Sequence, residues 1–219
     1  MSNYAVIIDY GLGNLHNLKR TLEYLDIHVI ISNKPEKILN ADRVILPGVG
    51  SFASGMDGLN KNGLVTVLNQ YVKSGKPILG ICLGMQLFMQ SSEEHGKHKG
   101  LGLVKGKVLP FKSIHNKQIT FKVPQIGWNS VALNPNFKKD GKFTFLEGLF
   151  GFNNIEPYLY FIHSYYIKVS DVKDELATTI YAGVKYCSAL RKNNIYGVQF
   201  HPELSGVLGL SILKDFSKI

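Results

Sequence analysis

The chain has 219 residues, 45% of them hydrophobic, which is enough for one sizeable core and gives no sign of a second domain. No apolar run is long enough to cross a membrane, and the first residues lack the basic and apolar segments of a signal peptide, so we predict one cytoplasmic domain over residues 1–219. Two cysteines exclude a disulfide framework, and the net charge of +9 raises the question of an anionic partner.

Most of the positive charge lies in one stretch, residues 96–142, which contains ten lysines and a single acidic residue, Asp140. The stretch has no arginine and no recognisable nucleic-acid-binding module. We therefore interpret it as a solvated face of the protein. The alternative is a surface that steers an anionic ligand or an acidic partner toward the chain.

The first part of the chain alternates between short apolar runs and amphipathic segments. The apolar runs predict strands at 4–9, 28–32, 43–46 and 78–81. The amphipathic segments predict helices at 15–25, 54–74 and 83–90. This alternation predicts an open, mostly parallel, doubly wound α/β sheet. From residue 100 to residue 190, short strands divided by Gly, Pro and Asn predict antiparallel additions to that sheet.

Two glycine-rich loops follow predicted strands. The loop from Gly11 to Asn14 has the G-x-G start of a dinucleotide site, but a histidine stands where the pattern needs Gly or Ala, so this signal is weak. The loop from Pro47 to Ala53 can hold a phosphate or an oxyanion with its bare amides. We favour the oxyanion, because the loop after the next strand reaches the same sheet edge. The amides expected there are those of Val49 or Gly50, and of Leu83.

The segment Gly80-Ile81-Cys82-Leu83-Gly84 has the G-x-nucleophile-x-G pattern of a nucleophile elbow, with cysteine in the place of serine. The flanking glycines let the backbone pass close by on either side of a sharp turn. A thiol at the start of a helix lies near unpaired N–H groups, which favour the thiolate and can stabilise an oxyanion. The alternative is an ordinary buried cysteine, since free cysteine is among the most buried residue types. Cys187, in an apolar strand, fits that second description.

A strand predicted from Ile195 to Phe200 leads directly into His201-Pro202-Glu203. A carboxylate two residues after a histidine can orient the imidazole, because alternate residues of an extended chain share one side. Together with the elbow, this completes a Cys-His-Glu set in which Cys82 is the nucleophile and His201 the acid and base. The alternative is a solvated loop histidine, which the combination of motifs disfavours.

Three motifs together resemble those of the class I glutamine amidotransferases. They are Pro47 to Gly50, Gly80 to Gln86 and Gly197 to Glu203, and the resemblance extends from Tyr4 to Phe216. Within this family, three further segments resemble the glutaminase subunits of imidazole glycerol phosphate synthase: 8–15, 123–129 and 161–166. The resemblance implies hydrolysis of glutamine to glutamate and ammonia. It also implies a heterodimer in which the ammonia passes through a tunnel to a (β/α)8-barrel synthase (cyclase) subunit of histidine biosynthesis, with no cofactor.

The resemblance also assigns roles to individual residues. It implies that Cys82 attacks the side-chain amide of glutamine, that His201 protonates the departing ammonia and that Glu203 orients His201. The positions implied for contact with the substrate are Gln86, Ser164 and Tyr165. The positions implied to lie toward the synthase are Gly11, Asn14 and Trp128.

Two departures from the family pattern leave alternatives open. Leu204-Ser205 follows the catalytic motif where Lys-Ser is usual, and Gln125-Ile126 stands where His-Met is usual. Both favour, as an alternative, a paralogous glutaminase whose barrel partner builds an amidino group on a surface sugar. A non-catalytic regulatory module and a cysteine peptidase are alternatives of a different class. We predict no metal site, because the histidines of the lysine-rich stretch lack ligand-like companions: His95, His98 and His115.

Overall fold

The structure is a computed structural model of the chain, and it describes residues 4–112, 114–115, 120–135, 145–146 and 157–219. In its first part, strands and helices alternate: β1 (Ala5–Ile8), α1 (Leu15–Tyr24), β2 (Val29–Ser32), α2 (Pro35–Asn40), β3 (Arg43–Leu46), α3 (Phe52–Lys61), α4 (Leu64–Lys73), β4 (Ile78–Ile81) and α5 (Leu83–Leu87).

The later part of the chain is mostly strand. Its strands are β5 (Ser91–Ser92), β6 (His98–Lys99), β7 (Gly106–Pro110), β8 (Ile114–His115), β9 (Thr120–Phe121), β10 (Gln125–Ser130), β11 (Ala132–Leu133), β12 (Tyr158–His163), β13 (Tyr165–Val169), β14 (Glu175–Tyr181), β15 (Val184–Lys192) and β16 (Ile195–Val198). Short 3₁₀ turns span Val172–Asp174 and Pro202–Leu204, and helix α6 spans Gly206–Phe216.

The centre of the main sheet is parallel, with its strands in the order β2, β1, β3, β4 and β16. Beyond β16 the sheet continues through β15 and β13, which run antiparallel to their neighbours, and reaches β7. This confirms the predicted α/β class, with a mostly parallel, doubly wound sheet and antiparallel additions. Parallel strands bring their carboxyl ends to one edge, which is the edge where β4 and β16 both end.

Helices cover both faces of the sheet, and the alternation of side chains along β1 shows why. Ala5 and Ile7 join a buried cluster on one face, while Val6 and Ile8 join a buried cluster on the other. The first cluster includes side chains of α1 and α6: Leu18, Leu22, Ile212, Leu213 and Phe216. The second includes side chains of α2 to α5: Ile38, Met56, Leu59, Leu68, Leu83 and Met85. Since both faces are buried, the central strands are mostly apolar.

Strands β10 and β12 form a separate antiparallel ribbon over the edge of the sheet. Gln125 pairs with His163 at one end of the ribbon, and Ser130 pairs with Tyr158 at the other. One side of the ribbon faces the core through Leu159 and Phe161. The opposite side is exposed, and Trp128 lies on it.

Several boundaries differ from the predicted ones. The single helix predicted at 54–74 is wrong, because Gly63, with a φ of +66°, adopts a left-handed conformation that ends one helix and begins the next. The last strand ends at Val198, so it stops short of Phe200. Helix α5 ends at Leu87, and α2 and α6 have no counterpart among the predicted elements.

The lysine-rich stretch lies only partly within the described residues, which do not include Lys117, Lys138, Lys139 and Lys142. In the part that is described, Lys107 pairs with Glu93 at 3.1 Å on the surface. Among the residues that the structure describes, none of the helices has the length and apolar character needed to cross a membrane.

Candidate active site

Cys82 occupies a strained turn between β4 and α5. Its φ of 52° and ψ of −108° are unusual for a residue with a side chain, and such strain is typical of nucleophile elbows. A Cβ on Gly84 would overlap the carbonyl oxygen of Leu46, and one on Gly80 would lie 2.6 Å from the backbone nitrogen of Met85. Both glycines are therefore required by close packing, as the pattern predicts.

The sulfur of Cys82 is nearly buried, with 5% of the residue exposed. Its Sγ lies 3.7 Å from the carbonyl oxygen of Ile162, on the β10–β12 ribbon, and accepts a hydrogen bond from the side-chain Nε2 of Gln199 at 3.5 Å. The backbone N–H of Cys82 donates to the carbonyl of Val198 at 2.8 Å, which ties the elbow to β16. The strand that carries the next catalytic candidate is thus bonded directly to the nucleophile turn.

His201 and Glu203 form the predicted pair, with 2.8 Å between Nδ1 and Oε1. The geometric reason given for the pair is wrong, because Pro202–Leu204 forms a 3₁₀ turn and the two residues do not lie on an extended strand. A ring of hydrogen bonds fixes this turn to β12. The N–H of His201 donates to the carbonyl of Tyr160, the hydroxyl of Ser205 donates to the carbonyl of His201, and the N–H of Tyr160 donates to that hydroxyl.

The charge on His201 follows from its neighbours. Burial alone lowers the pKa of the imidazole, but its interactions with Cys82 and Glu203 outweigh burial and raise that pKa from 6.5 to about 10. The ring is therefore protonated at neutral pH. Its Nε2 is buried and makes no hydrogen bond of ordinary geometry among the described atoms, although the interaction with Cys82 is the largest of the causes that raise the pKa of the ring.

Of the predicted oxyanion amides, that of Leu83, the residue after the nucleophile, is not free. The N–H of Leu83 donates to the carbonyl of Gly48 at 3.4 Å. Val49 and Gly50 are exposed, and Gly50 has a φ of +116°. The Gly48 carbonyl oxygen thus lies where the Leu83 amide would otherwise bind an oxyanion.

A cavity of about 500 Å³ joins these residues, and its size fits an amino acid. The predicted site residues that line it are Asn14, Val49, Gly50, Cys82, Leu83, Gln86, Ser164, Tyr165, His201 and Glu203. Gly11 and Trp128 do not line it, and both are exposed. The structure therefore brings together the catalytic, oxyanion and substrate candidates, and leaves two of the three partner-facing candidates on the surface outside the cavity.

Comparison with known proteins agrees with this geometry. The family model of the class I glutamine amidotransferases matches residues 6–218. The chain belongs to this family.

Its relatives cover almost all of its length. The imidazole glycerol phosphate synthase subunit HisH of Chlorobaculum tepidum is 44% identical over 214 residues, which are 97% of this chain and 98% of that relative. The subunit of the same name from Sulfurimonas denitrificans is 42% identical over 212 residues, covering 97% of this chain and 96% of that relative.

Solved structures are similar in fold. A crystal structure described as a glutamine amidotransferase has a TM-score of 0.69 at 16% identity and covers 98% of this chain and 99% of its own. A chain of the PurLQS structure from Thermotoga maritima has a TM-score of 0.68 at 17% identity, and the match covers 99% of this chain and 98% of that one. At these identities the likeness shows the class I amidotransferase fold alone.

Two polar residues of this class I amidotransferase are not among the predicted site residues. Glu94 lines the cavity, and its Oε2 accepts a hydrogen bond from the N–H of Phe52 at the start of α3 at 2.6 Å. A buried carboxylate in such a wall can pair with the α-ammonium group of an amino acid. Gln199 lies within the third motif, but it stands between two apolar residues of a predicted strand, so the sequence pattern does not mark it as a site residue. The described residues contain no group of three or more His, Cys, Asp or Glu side chains that could hold a metal ion.

Proposed function

We propose that this chain is the glutaminase subunit of an imidazole glycerol phosphate synthase, acting in histidine biosynthesis. The observation that carries the proposal is the convergence of Cys82, His201 and Glu203 at one cavity, in a chain 44% identical to a relative named as that subunit. The substrate is glutamine, and the products are glutamate and ammonia.

The proposed reaction has two steps, and each uses the same three side chains. The Cys82 thiolate attacks the side-chain carbonyl carbon of glutamine, and the C–N bond breaks as protonated His201 gives its proton to the leaving ammonia. A water molecule then attacks the γ-glutamyl thioester while neutral His201 accepts its proton, and glutamate and the thiolate are released. Glu203 holds the imidazole through Nδ1 in both steps.

The oxyanion of each step needs a free amide near the sulfur. In the structure the Leu83 amide is engaged by the Gly48 carbonyl, so this conformation lacks a complete oxyanion site. Rotation of the Gly48–Val49 peptide would release the Leu83 amide and direct a second N–H toward the cavity. We propose that binding of the synthase subunit favours this rotation, which explains why the chain alone would hydrolyse glutamine slowly.

The partner in this proposal is a (β/α)8-barrel synthase subunit that receives the ammonia. The exposed side of the β10–β12 ribbon supports a docking surface there, because it presents Ile126, Trp128 and Ile162 to solvent beside the cavity. Leu204, which also lines the cavity, is 43% exposed and extends the apolar surface. Ammonia released at Cys82 would leave through the covered mouth of the cavity.

Reconstitution with the cognate synthase subunit tests the proposal. In the assembled pair, Cys82→Ala should reduce glutamine-driven product formation by at least about 1,000-fold, because no other nucleophile is available to form the thioester. Synthesis driven by added ammonia should be unchanged, since that reaction uses only the partner. Cys187→Ala is the matched control, because Cys187 is a buried cysteine on β15 outside the cavity, and it should retain both reactions.

Loss of ammonia-driven synthesis in the Cys82→Ala pair would contradict this division of labour. Growth of a histidine auxotroph supplies the second arm of the test. If the chain and its cognate partner fail to restore growth although the pair hydrolyses glutamine, the product belongs to another pathway, such as the amidino-sugar alternative.

A further inference from the structure

Gln199 places a fully buried amide between the sulfur of Cys82 and the side chain of Gln86. It lies after β16, two residues before His201, and its exposed fraction is 0%. Its backbone N–H donates to the carbonyl of Ser188 at 2.9 Å, which fixes the start of the side chain. The side-chain Nε2 donates to the sulfur of Cys82 at 3.5 Å, and Oε1 accepts from Nε2 of Gln86 at 3.1 Å.

The neighbouring side chain determines which end of this amide faces the sulfur. Nε2 of Gln86 has two hydrogens, and the structure provides two acceptors for them: the carbonyl of Tyr165 at 2.9 Å and Oε1 of Gln199 at 3.1 Å. If the Gln199 amide were reversed, two NH₂ groups would face each other and no donor would face Cys82. The network therefore allows one orientation, with the N–H of Gln199 directed at the sulfur.

The sulfur needs donors when it is charged. A thiolate accepts hydrogen bonds and is repelled by carbonyl oxygens, and the carbonyl of Ile162 lies 3.7 Å from Sγ. The N–H of Gln199 offsets this repulsion, and it remains available whether the imidazole of His201 is protonated or not. We infer that Gln199 is a further catalytic residue, whose side-chain N–H stabilises the Cys82 thiolate before attack and again when the thioester is hydrolysed. The inference rests on the proposed role of Cys82 as the nucleophile.

The change in charge on the sulfur during the two steps explains why such a donor is useful. In acylation the sulfur electron pair forms the C–S bond, and the hydrogen bond from Gln199 weakens because a thioester sulfur is a poor acceptor. In deacylation the C–S bond breaks and the electron pair returns to sulfur, so the same N–H stabilises the leaving thiolate. The proton is carried by His201 in both steps, and Gln199 neither gains nor loses one.

Three titratable groups with clearly shifted pKa values interact electrostatically with Cys82, and they are His201, Tyr10 and Tyr186. Burial raises the pKa of both tyrosine hydroxyls, so they are neutral at physiological pH. Of these three groups only His201 is charged, so we expect the charge of the sulfur to depend on its imidazolium and on the amide of Gln199.

The test measures the rate of Cys82 alkylation by iodoacetamide as a function of pH in the free chain, with the modified residue identified by mass spectrometry. Gln199→Glu keeps an acceptor for Gln86 and replaces the donor with an oxygen, while Gln199→Met removes both groups at similar volume. Each should alkylate up to about 10-fold more slowly at neutral pH, with the midpoint of the pH profile about one unit higher, as expected for loss of a hydrogen bond to a charged group.

Gln125→Met is the matched control. Gln125 is also a buried glutamine, and its Oε1 accepts from the hydroxyl of Tyr186 at 3.0 Å, but it makes no contact with the sulfur. This variant should keep the wild-type midpoint even if its melting temperature falls. Equal shifts in the Gln125 and Gln199 variants would overturn the inference, because the shift would then reflect general loosening of the core.

An unchanged profile in both folded Gln199 variants would also overturn it. If the variants do not fold, the side-chain ¹⁵N resonance of Gln199 in the otherwise unaltered chain serves instead. The chemical shift of that resonance should change with pH with the same midpoint as alkylation, and this change should be absent in Cys82→Ser. A pH-independent resonance would contradict the inference. Alkylation of wild-type Cys82 no faster at pH 7 than that of a free cysteine peptide would contradict both this inference and the nucleophile role itself.

Discussion

Two buried histidines lie close to the cavity and have opposite charge states. Burial lowers the pKa of His163 to about 4, although the hydrogen bond from its Nδ1 to the carbonyl of Tyr165 acts in the other direction. The pKa of His201 rises to about 10 because Cys82 and Glu203 outweigh the effect of burial. Burial alone therefore does not set the charge of an imidazole, since Cys82 and the carboxylate of Glu203 together reverse the outcome.

The neutral state of His163 predicts a loss of stability in acid. The ordinary pKa of 6.5 applies in the unfolded chain, so between pH 6.5 and about 4 the unfolded state binds up to one more proton than the folded state. The free energy of unfolding therefore decreases as the pH is lowered through this range. The loss from this residue is on the order of 3 kcal/mol. The stability gap between wild type and His163→Gln should shrink over this range in urea unfolding at pH 7, 5.5 and 4.5. A gap that stays constant would refute the expectation.

At the scale of single elements, the elbow depends on contact between α5 and β3. The absence of a side chain at Gly84 lets the first turn of α5 touch the carbonyl of Leu46. Because a methyl group there would overlap the backbone of β3, the close approach of α5 to β3 requires glycine at this position.

Gly84→Ala should therefore destabilise the protein by more than about 2 kcal/mol, since the backbone of β3 must shift to make room. It should also slow alkylation of Cys82. Gly55→Ala in α3 is the matched control, because the added methyl would meet side-chain atoms of Leu87 at 3.0 Å, and no backbone atom, and would favour the helix. Its unfolding free energy should differ from wild type by less than about 1 kcal/mol. Thermal and chemical unfolding distinguish the two, and equal effects would show that α5 tolerates displacement.

At the scale of the whole molecule, the cavity and the proposed docking surface share the β10–β12 ribbon. The carbonyl of Ile162 contacts the sulfur of Cys82, and that of Tyr160 accepts from the N–H of His201. The opposite side of the same ribbon exposes Ile126 and Trp128, at 62% and 55%. A partner bound to that side would therefore touch the element that supports both reacting groups.

Ile126→Glu should weaken binding of the synthase subunit by at least about 10-fold, because a charge would be buried in an apolar contact. Alkylation of Cys82 in the free chain should not change. Val172→Glu is the matched control, since Val172 is 61% exposed and lies outside both the ribbon and the cavity. Isothermal titration calorimetry measures both affinities. Wild-type affinity in the Ile126 variant would place the interface elsewhere.

Much of the fold and of the site could be predicted from the sequence because the signals are local. The alternation of apolar strands and amphipathic helices predicts the parallel sheet, and the glycines around Cys82 predict the elbow, since both depend on residues next to one another in the chain. Helix limits were harder to predict. The left-handed conformation of Gly63 divides a segment whose apolar pattern is continuous, and periodicity does not detect such a break.

The sequence by itself determined the alternation of strands and helices in the first part of the chain, and it predicted the nucleophile together with its acid and base. Only the tertiary structure decided that the carbonyl of Gly48 engages the Leu83 amide, and that Gln199 directs an N–H at the sulfur. The physical reason is the range of the interactions. Helix and strand formation and glycine requirements arise between neighbours in the chain, whereas the direction of a buried amide depends on acceptors such as the carbonyl of Tyr165, which lie far away in sequence.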